Sequence, residues 1–180
     1  MLMTYQECIE KYSNDYQIKK EIKNGNLFMK ETGIYSTVRN APELSVIMHK
    51  YPKTIFTWKS AFYYHSLTDV IPDYYYLATR RTDTRIRDSR IRQSFIKDDL
   101  FEAGIIEIQF NNSSIRIYNK ERMLIELMRF RLKIPMDYYK EIIKNYRQLS
   151  NELDFGAAED YAAMFKNGSN LMKMIQLEVL

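Results

Sequence analysis

The sequence from residue 14 to residue 36, NDYQIKKEIKNGNLFMKETGIYS, predicts a helix followed directly by a β-hairpin. Asp15 can cap a helix that runs from Tyr16 to Asn24. Gly25 follows at once, as expected for the left-handed residue that often ends a helix. Two short apolar strands then flank Glu31-Thr32-Gly33, a loop with glycine where a positive φ is needed. The helix and the hairpin are therefore predicted to be neighbours along the chain.

Another helix is predicted just before this stretch. Thr4-x-x-Glu7 is a capping box, which places a helix start at Thr4. Cys8 falls on the apolar face of that helix, where a buried and inert thiol is expected. In the following helix, Ile18 and Ile22 lie one turn apart, so both side chains are expected to face inward.

The order helix, turn, helix and hairpin is that of a small winged helix-turn-helix, and we predict such a DNA-binding domain over residues 1–38. Residues 39–180 are predicted to form a larger mixed α/β domain with C-terminal helices, so the fold class is α+β. The predicted strands of this domain are residues 54–56, 74–78, 91–96, 105–110 and 115–118. Its predicted helices are residues 42–50, 58–65, 120–133, 136–149, 157–166 and 169–180.

The composition of the chain excludes several classes of enzyme. Its 180 residues include only 5 Gly, 2 His and 1 Cys. The glycines are far apart, so the sequence contains neither a dinucleotide fingerprint nor a phosphate-binding loop. One cysteine and two histidines cannot supply the paired ligands of a Cys/His zinc site. We therefore predict no cofactor and no metal site.

Net charge and apolar patterning bear on location and partners. The net charge of +4 permits an anionic partner without requiring one. The first residues have neither the basic region nor the apolar region of a signal peptide. No stretch approaches the roughly 20 apolar residues that a membrane span needs. A cytoplasmic protein with no membrane partner is therefore expected.

The outward residues of the helix between Asp15 and Gly25 are candidates for contact with DNA. In a winged helix-turn-helix this helix lies in the major groove, where glutamine can read adenine and lysine can meet guanine or phosphate. The hairpin would then reach the adjacent backbone. The predicted DNA-binding residues are Tyr16, Gln17, Lys19, Lys20 and Lys23 on the helix, and Lys30 and Thr32 on the hairpin. The alternative is an ordinary solvated lysine face.

Residues 80–92 are unusually rich in arginine. Arginine, more than lysine, recognises phosphate or carboxylate through two parallel hydrogen bonds. We predict a second surface for an anionic partner, formed by Arg80, Arg81, Arg85, Arg87, Arg90 and Arg92. The alternative is a loop whose arginines pair with Asp83 and Asp88. The sequence leaves open whether the partner is nucleic acid or an acidic protein.

Candidates for catalysis are few. His65 could pair with Asp69 one turn on, but no serine or cysteine is placed as a nucleophile, so a locally satisfied histidine is the simpler interpretation. Asp73, Glu107 and Gln109 are faintly similar to a metal-dependent nuclease core. In such a core a lysine lies near the phosphate, and here Gln109 stands in its position. We therefore predict no catalytic residue.

Three segments resemble the AbiEi family of antitoxins in the same order along the chain. They are Gly25-Asn26-Leu27-Phe28 with Gly33-Ile34-Tyr35, residues 60–72 (SAFYYHSLTDVIP) and residues 118–129 (YNKERMLIELMR). The resemblance spans nearly the whole chain. It implies a type IV toxin–antitoxin system of abortive phage defence, in which the antitoxin joins an N-terminal winged helix-turn-helix to a larger C-terminal domain.

This resemblance implies two activities. The winged domain binds inverted repeats in its own double-stranded promoter DNA and acts as a transcriptional repressor of the operon. The C-terminal domain counters a nucleotidyltransferase-type toxin without forming a stable complex with it. We therefore expect an antitoxin and autoregulator, not an enzyme. The alternatives are a metal-dependent nuclease or toxin-modifying enzyme, and a protein-interaction module that does not bind DNA.

Overall fold

The computed structural model describes all 180 residues as a mixed α/β fold with nine α-helices and two β-sheets. The chain divides into two compact units. Residues 1–54 and 108–115 belong to the first unit, and residues 55–107 and 116–180 belong to the second. No helix combines the length and the apolar character that crossing a lipid bilayer would require.

The first unit surrounds a three-stranded antiparallel sheet. Its elements are β1 (Leu2–Thr4), α1 (Tyr5–Tyr12), α2 (Asp15–Lys23), β2 (Phe28–Glu31), β3 (Ile34–Ser36) and α3 (Glu43–Lys50). The strand order is β1-β3-β2, so the predicted hairpin is confirmed and β1 adds a third strand that the sequence did not predict. Because α3 packs against β1 and β3, the unit extends beyond residue 38.

The caps of the first two helices follow from short-range hydrogen bonds. The predicted capping box is confirmed, since the Thr4 hydroxyl accepts from the Glu7 amide and the Glu7 carboxylate accepts from the Thr4 amide. The predicted Asp15 cap is wrong. Asn14 caps α2 instead, because its side-chain oxygen accepts from the backbone N–H of Gln17 at 3.0 Å. Gly25 follows α2 with a φ of +74°, as predicted.

The core of the first unit is small. One cluster in it consists of five buried side chains, and they are Met3, Cys8, Ile18, Leu27 and Tyr35. The expected burial of Cys8 and Ile18 is therefore confirmed. The expectation that Ile22 faces inward is wrong, because its side chain is 37% exposed. Ile22 lies one turn beyond Ile18 and outside this cluster.

The second sheet has five strands in the order β6-β5-β4-β8-β7. These strands are β4 (Ile55–Phe56), β5 (Tyr75–Arg80), β6 (Ile91–Ile96), β7 (Ile105–Phe110) and β8 (Ser113–Tyr118). The sheet is mixed, because β5 pairs parallel to β6, β4 pairs parallel to β8, and β4 pairs antiparallel to β5. The turn between β7 and β8 is two residues long, shorter than predicted, because Asn111 and Asn112 both adopt positive φ.

Six helices complete the second unit. They are α4 (Trp58–Tyr64), α5 (Asp98–Phe101), α6 (Lys120–Phe130), α7 (Met136–Gln148), α8 (Phe155–Ala163) and α9 (Gly168–Glu178). The central one is α6, which contacts α4, α8 and α9. Every residue from Arg122 to Met128 is buried, so this helix is enclosed on all sides. Its α-helical part is shorter than predicted, since residues 131–133 continue as a 3-10 turn.

Candidate nucleic-acid interface

The exposed side of α2 carries a compact set of basic and aromatic side chains. Successive residues of an α-helix are rotated by about 100°, so Tyr16, Lys19, Lys20 and Lys23 fall within an arc of about 100°. All four side chains are exposed, and Tyr16 is 72% accessible. The buried Ile18 lies on the opposite side of the helix. These four residues are called the α2 basic face below.

Gln17 lies beside this face. It is half-buried, and its position is rotated by about 60° from that of Lys20, the nearest member of the face. Its backbone N–H donates the hydrogen bond that the side-chain oxygen of Asn14 accepts at the start of α2. The structure therefore brings together four of the five helix residues predicted to contact DNA, and places the fifth at the edge of the set.

The charges of the α2 basic face are not equivalent. The Lys19 ammonium lies 2.7 Å from the Asp15 carboxylate, and both side chains are largely exposed. That hydrogen bond and the charge of Asp15 raise the pKa of Lys19. Lys20 and Lys23 have no carboxylate partner. Lys19 therefore offsets the acidic start of the helix, whereas Lys20 and Lys23 present uncompensated positive charge to solvent.

The two predicted hairpin residues differ in accessibility. Thr32 is exposed at the turn between β2 and β3. Lys30 is half-buried, and its ammonium donates to the backbone carbonyl of Arg39. Arg39 is itself exposed, and the sequence did not identify it as a candidate. The one indication in the sequence is that Arg39 is a basic residue three positions after the end of β3.

The arginine-rich segment connects two parallel strands. Residues 81–90 leave β5 and return to start β6 alongside it, without forming a helix. Gln93 on β6 holds this crossover. Its side-chain oxygen accepts from the Ile86 amide at 2.8 Å, and its side-chain nitrogen lies 3.1 Å from the Thr84 carbonyl and 2.8 Å from the Thr79 hydroxyl. The Gln93 side chain therefore ties the segment to the sheet, and the Asp83 carboxylate adds a second link because it accepts from the Arg80 amide at 2.9 Å.

Three of the six arginines have partners within the second unit. Arg80 pairs with Glu102 and lies 3.8 Å from Asp98. Arg90 pairs with Asp88, and the guanidinium of Arg92 lies 3.5 Å from the centre of the Tyr74 ring. The remaining three are exposed and have no ion pair, and they are Arg81, Arg85 and Arg87. These three are called the open arginines below.

The carboxylates of the proposed nuclease alternative lie on different parts of the sheet. Asp73 precedes β5, whereas Glu107 and Gln109 lie in β7. Because β4 and β8 separate β5 from β7, these strands are three strand spacings apart, which is about 14 Å. The structure contains no group of three His, Cys, Asp or Glu residues that could hold a metal ion.

The suggested pairing of His65 with Asp69 is wrong. The Nε2 atom of His65 lies 2.7 Å from the carbonyl oxygen of Tyr118, and the Asp69 amide donates to Glu141 instead. Burial of the ring lowers the pKa of His65, and the hydrogen bond to Tyr118 opposes that shift. His65 is therefore a structural residue that joins α4 to the end of β8.

The chain matches no protein-family model and no curated protein. The resemblance to the AbiEi antitoxins accordingly stays a prediction from the sequence segments that carry it. The structural arguments for function are the α2 basic face, the hairpin beside it in the chain, and the open arginines.

Proposed function

We propose that this protein is the antitoxin of a type IV toxin–antitoxin pair and represses its own operon by binding promoter DNA. The observation that carries the DNA-binding part is the α2 basic face. It presents two uncompensated lysines, Lys20 and Lys23, on the helix that directly precedes an antiparallel hairpin. A helix with this exposure fits the major groove of duplex DNA, with lysines against phosphate or guanine.

The topology of the first unit supports a winged helix-turn-helix. Two helices, α1 and α2, are followed by the β2–β3 hairpin, and β1 joins β3 to complete the sheet. The hairpin would act as the wing, with Thr32 at its tip. Because Lys30 donates to the Arg39 carbonyl, Arg39 is the better candidate for a backbone contact from this side.

The open arginines support a role for the second unit in countering the toxin. Arg81, Arg85 and Arg87 lie on one short crossover and have no internal partner, so they can meet a nucleic acid or an acidic protein surface. This surface is the proposed antitoxic element against a nucleotidyltransferase-type toxin. The two activities then use residues from different units of the chain.

DNA binding is tested with the Lys20→Ala/Lys23→Ala variant and a duplex that carries the inverted repeats of the operon promoter. Fluorescence anisotropy is recorded at several salt concentrations. Each phosphate contact contributes about −0.9 to the slope of log affinity against log salt, so two lost contacts should flatten the slope by about 2. The matched control is Lys140→Ala/Lys144→Ala, which removes two exposed lysines from α7. Equal binding by both variants would contradict the assignment of α2 as the recognition helix.

Antitoxicity is tested by co-expression with a nucleotidyltransferase toxin encoded beside this gene. Lys20→Ala/Lys23→Ala should still rescue growth, because the change lies in the first unit. Arg81→Ala/Arg85→Ala/Arg87→Ala should lose rescue while retaining promoter binding. Failure of the unaltered protein to rescue growth would contradict the antitoxin proposal and leave the DNA-binding result standing on its own.

A further inference from the structure

The second unit contains an open cavity of about 480 Å³. The end of β6, the start of α4 and the residues just after α8 form its sides, and α6 also lines it. Its size is within the range of pockets that hold small-molecule ligands. The residues that line it combine positive charge with aromatic rings.

One carboxylate is shared by two arginines where α6 lines this cavity. Glu126 lies 2.8 Å from the Nη2 atom of Arg122 and 2.7 Å from the Nη1 atom of Arg129. The Arg122 side chain is 1% exposed and that of Glu126 is 8% exposed. Two guanidinium groups therefore share one carboxylate. Because the buried charges of Arg122 and Glu126 balance each other, the surplus positive charge is carried at Arg129, whose side chain is 27% exposed and within reach of a further anion.

The hydrogen-bonding capacity of Arg122 is also unfilled. Its Nε and Nη1 atoms are buried and donate to no acceptor, and its Nη2 atom contacts Glu126 without the alignment of a hydrogen bond. The rings of Tyr118 and Phe165 lie 5.5 and 5.3 Å from its guanidinium and supply only cation–π contact. Buried arginine donors without acceptors are rare in native proteins. This arrangement attracts an anion toward the cavity.

Two further cations lie around the cavity. Lys97 and Lys166 are exposed and have no ion pair, and the only other acid in the lining is Asp99. With the two arginines, four cations thus face two carboxylates. The lining is net positive before any ligand binds. A ligand with several negative charges would compensate both the exposed lysines and the surplus positive charge at Arg129.

Aromatic side chains form another part of the lining. Trp58 packs against Phe130 with ring centres 4.8 Å apart, and the guanidinium of Arg129 lies 3.9 Å from the centre of the Phe165 ring. Trp58 has a φ of +49°, a strained conformation for a bulky residue. Such strain persists where the surrounding structure requires it, and functional sites are a common location. The half-buried Trp58 is one of the residues that line the cavity.

We propose that this cavity binds a nucleoside phosphate. The phosphate groups lie against Arg129, Lys97 and Lys166, with the buried charge of Arg122 behind them. Arginine and phosphate form strong charge-assisted hydrogen bonds. The base stacks on the aromatic part of the lining, where Trp58 provides an indole face. This site is in the second unit and does not depend on the DNA-binding role proposed for the first.

The test uses the full chain and the fluorescence of Trp58, which is the only tryptophan in the sequence. ATP, UTP and inorganic pyrophosphate are titrated separately, and isothermal calorimetry checks each affinity. We expect ATP or UTP to quench Trp58 saturably, and pyrophosphate to bind more weakly because it lacks a base. Lys97→Ala/Lys166→Ala should weaken nucleotide binding by about tenfold, which corresponds to about 1.4 kcal/mol for the two lost charged contacts together.

The control is again Lys140→Ala/Lys144→Ala, which changes the net charge equally and should bind nucleotide as the unaltered protein does. Lys20→Ala/Lys23→Ala should also bind nucleotide normally, so loss of DNA binding and loss of the cavity are separable. The proposal is overturned if neither nucleotide binds at millimolar concentration. It is also overturned if Lys97→Ala/Lys166→Ala binds unchanged, or if pyrophosphate binds as tightly as ATP.

Discussion

Arg90 donates two parallel hydrogen bonds from one edge of its guanidinium group to the carboxylate of Asp88, two residues earlier. The Nε atom lies 3.0 Å from one carboxylate oxygen, and the Nη2 atom lies 2.7 Å from the other. The Asp88 side chain is only 8% exposed, so this pair is partly removed from solvent. Within the crossover from β5 to β6, Arg90 therefore has a structural role, and the open arginines are left for a partner.

The first prediction separates these two kinds of arginine. Arg81→Ala/Arg85→Ala/Arg87→Ala should elute from heparin at lower salt and change the free energy of unfolding by less than about 0.5 kcal/mol per site, as is usual for exposed positions. Arg90→Ala should cost about 1–3 kcal/mol, because it removes both guanidinium hydrogen bonds from a carboxylate that is only 8% exposed. Chromatography and urea unfolding give the two readouts. If Arg90→Ala lowered the elution salt as much per charge as the triple change, this division would be wrong.

The second prediction concerns the cap of α2. Asn14→Ala should destabilise the first unit by about 1 kcal/mol, because the backbone N–H of Gln17 loses its acceptor. Asn14→Asp should be nearly neutral, since a carboxylate oxygen can accept the same hydrogen bond. Urea unfolding monitored by circular dichroism measures the difference. Asp15→Ala provides the comparison, and an equal or greater cost at Asp15 would show that the cap is assigned to the wrong residue.

The third prediction compares two glycines that both have positive φ. At Gly104, with a φ of +80°, an added Cβ would lie 2.7 Å from the Cβ atom of Arg122 and 2.8 Å from the Asn119 side chain. Asn119 caps α6, so Gly104→Ala should disturb the start of the central helix. We expect a loss of about 2–4 kcal/mol from the combined clash and backbone strain.

Gly25 is the matched control for this change. Its φ is +74°, and nothing lies within 4 Å of an added Cβ. Gly25→Ala should therefore lose only the free energy that a Cβ costs at a positive φ, about 1–2 kcal/mol. Thermal unfolding of the two variants measures the difference. Equal losses at the two positions would mean that the neighbours of Gly104 move aside without cost.

The fourth prediction is a pH dependence of stability that originates at His65. Burial lowers the pKa of His65 in the folded state, so the unfolded chain binds a proton more readily. The contribution of this residue to stability is therefore complete above the unfolded pKa of about 6.5 and is lost as the pH falls toward the lower folded value. Urea unfolding between about pH 5 and pH 8 measures how the free energy of unfolding changes with pH.

His65→Gln should remove the contribution of His65 to the change of the free energy of unfolding with pH. Glutamine can still donate to the Tyr118 carbonyl, but it does not titrate. The comparison is His49→Gln, which changes the other histidine of the chain and should retain the contribution of His65. If the free energy of unfolding of His65→Gln changed with pH as it does in the unaltered protein, protonation of His65 would not be the cause of the lower stability in acid.

Local features of this fold could be predicted from the sequence because their partners are close along the chain. The capping box joins residues three apart, α2 is capped at Asn24 just before Gly25, and α3 ends two residues before Pro52. Even here one error arose between neighbours. Asn14 and Asp15 are both good caps, and only the backbone conformation shows that Asn14 precedes the first turn.

The candidate sites could be predicted only in part. The lysines of α2 were found because helical spacing places them on one side. The pairing of Lys19 with Asp15 four residues earlier was also visible in the spacing, but the contact of Lys30 with the Arg39 carbonyl was not. The cationic cavity was missed entirely, because its lining comes from segments between residues 57 and 166.

By itself, the sequence determined most of the helices, the hairpin and the basic face of α2, since these depend on hydrogen bonds and side-chain periodicity within a few residues. The tertiary structure alone decided the order of the five-stranded sheet, the addition of β1 to the hairpin, and the burial of α6 on all sides. Arg122, Glu126 and Arg129 illustrate the difference. Their spacing is that of ordinary surface ion pairs on a helix. Only packing from distant segments buries Arg122 and Glu126 and leaves the positive charge of Arg129 beside a cavity.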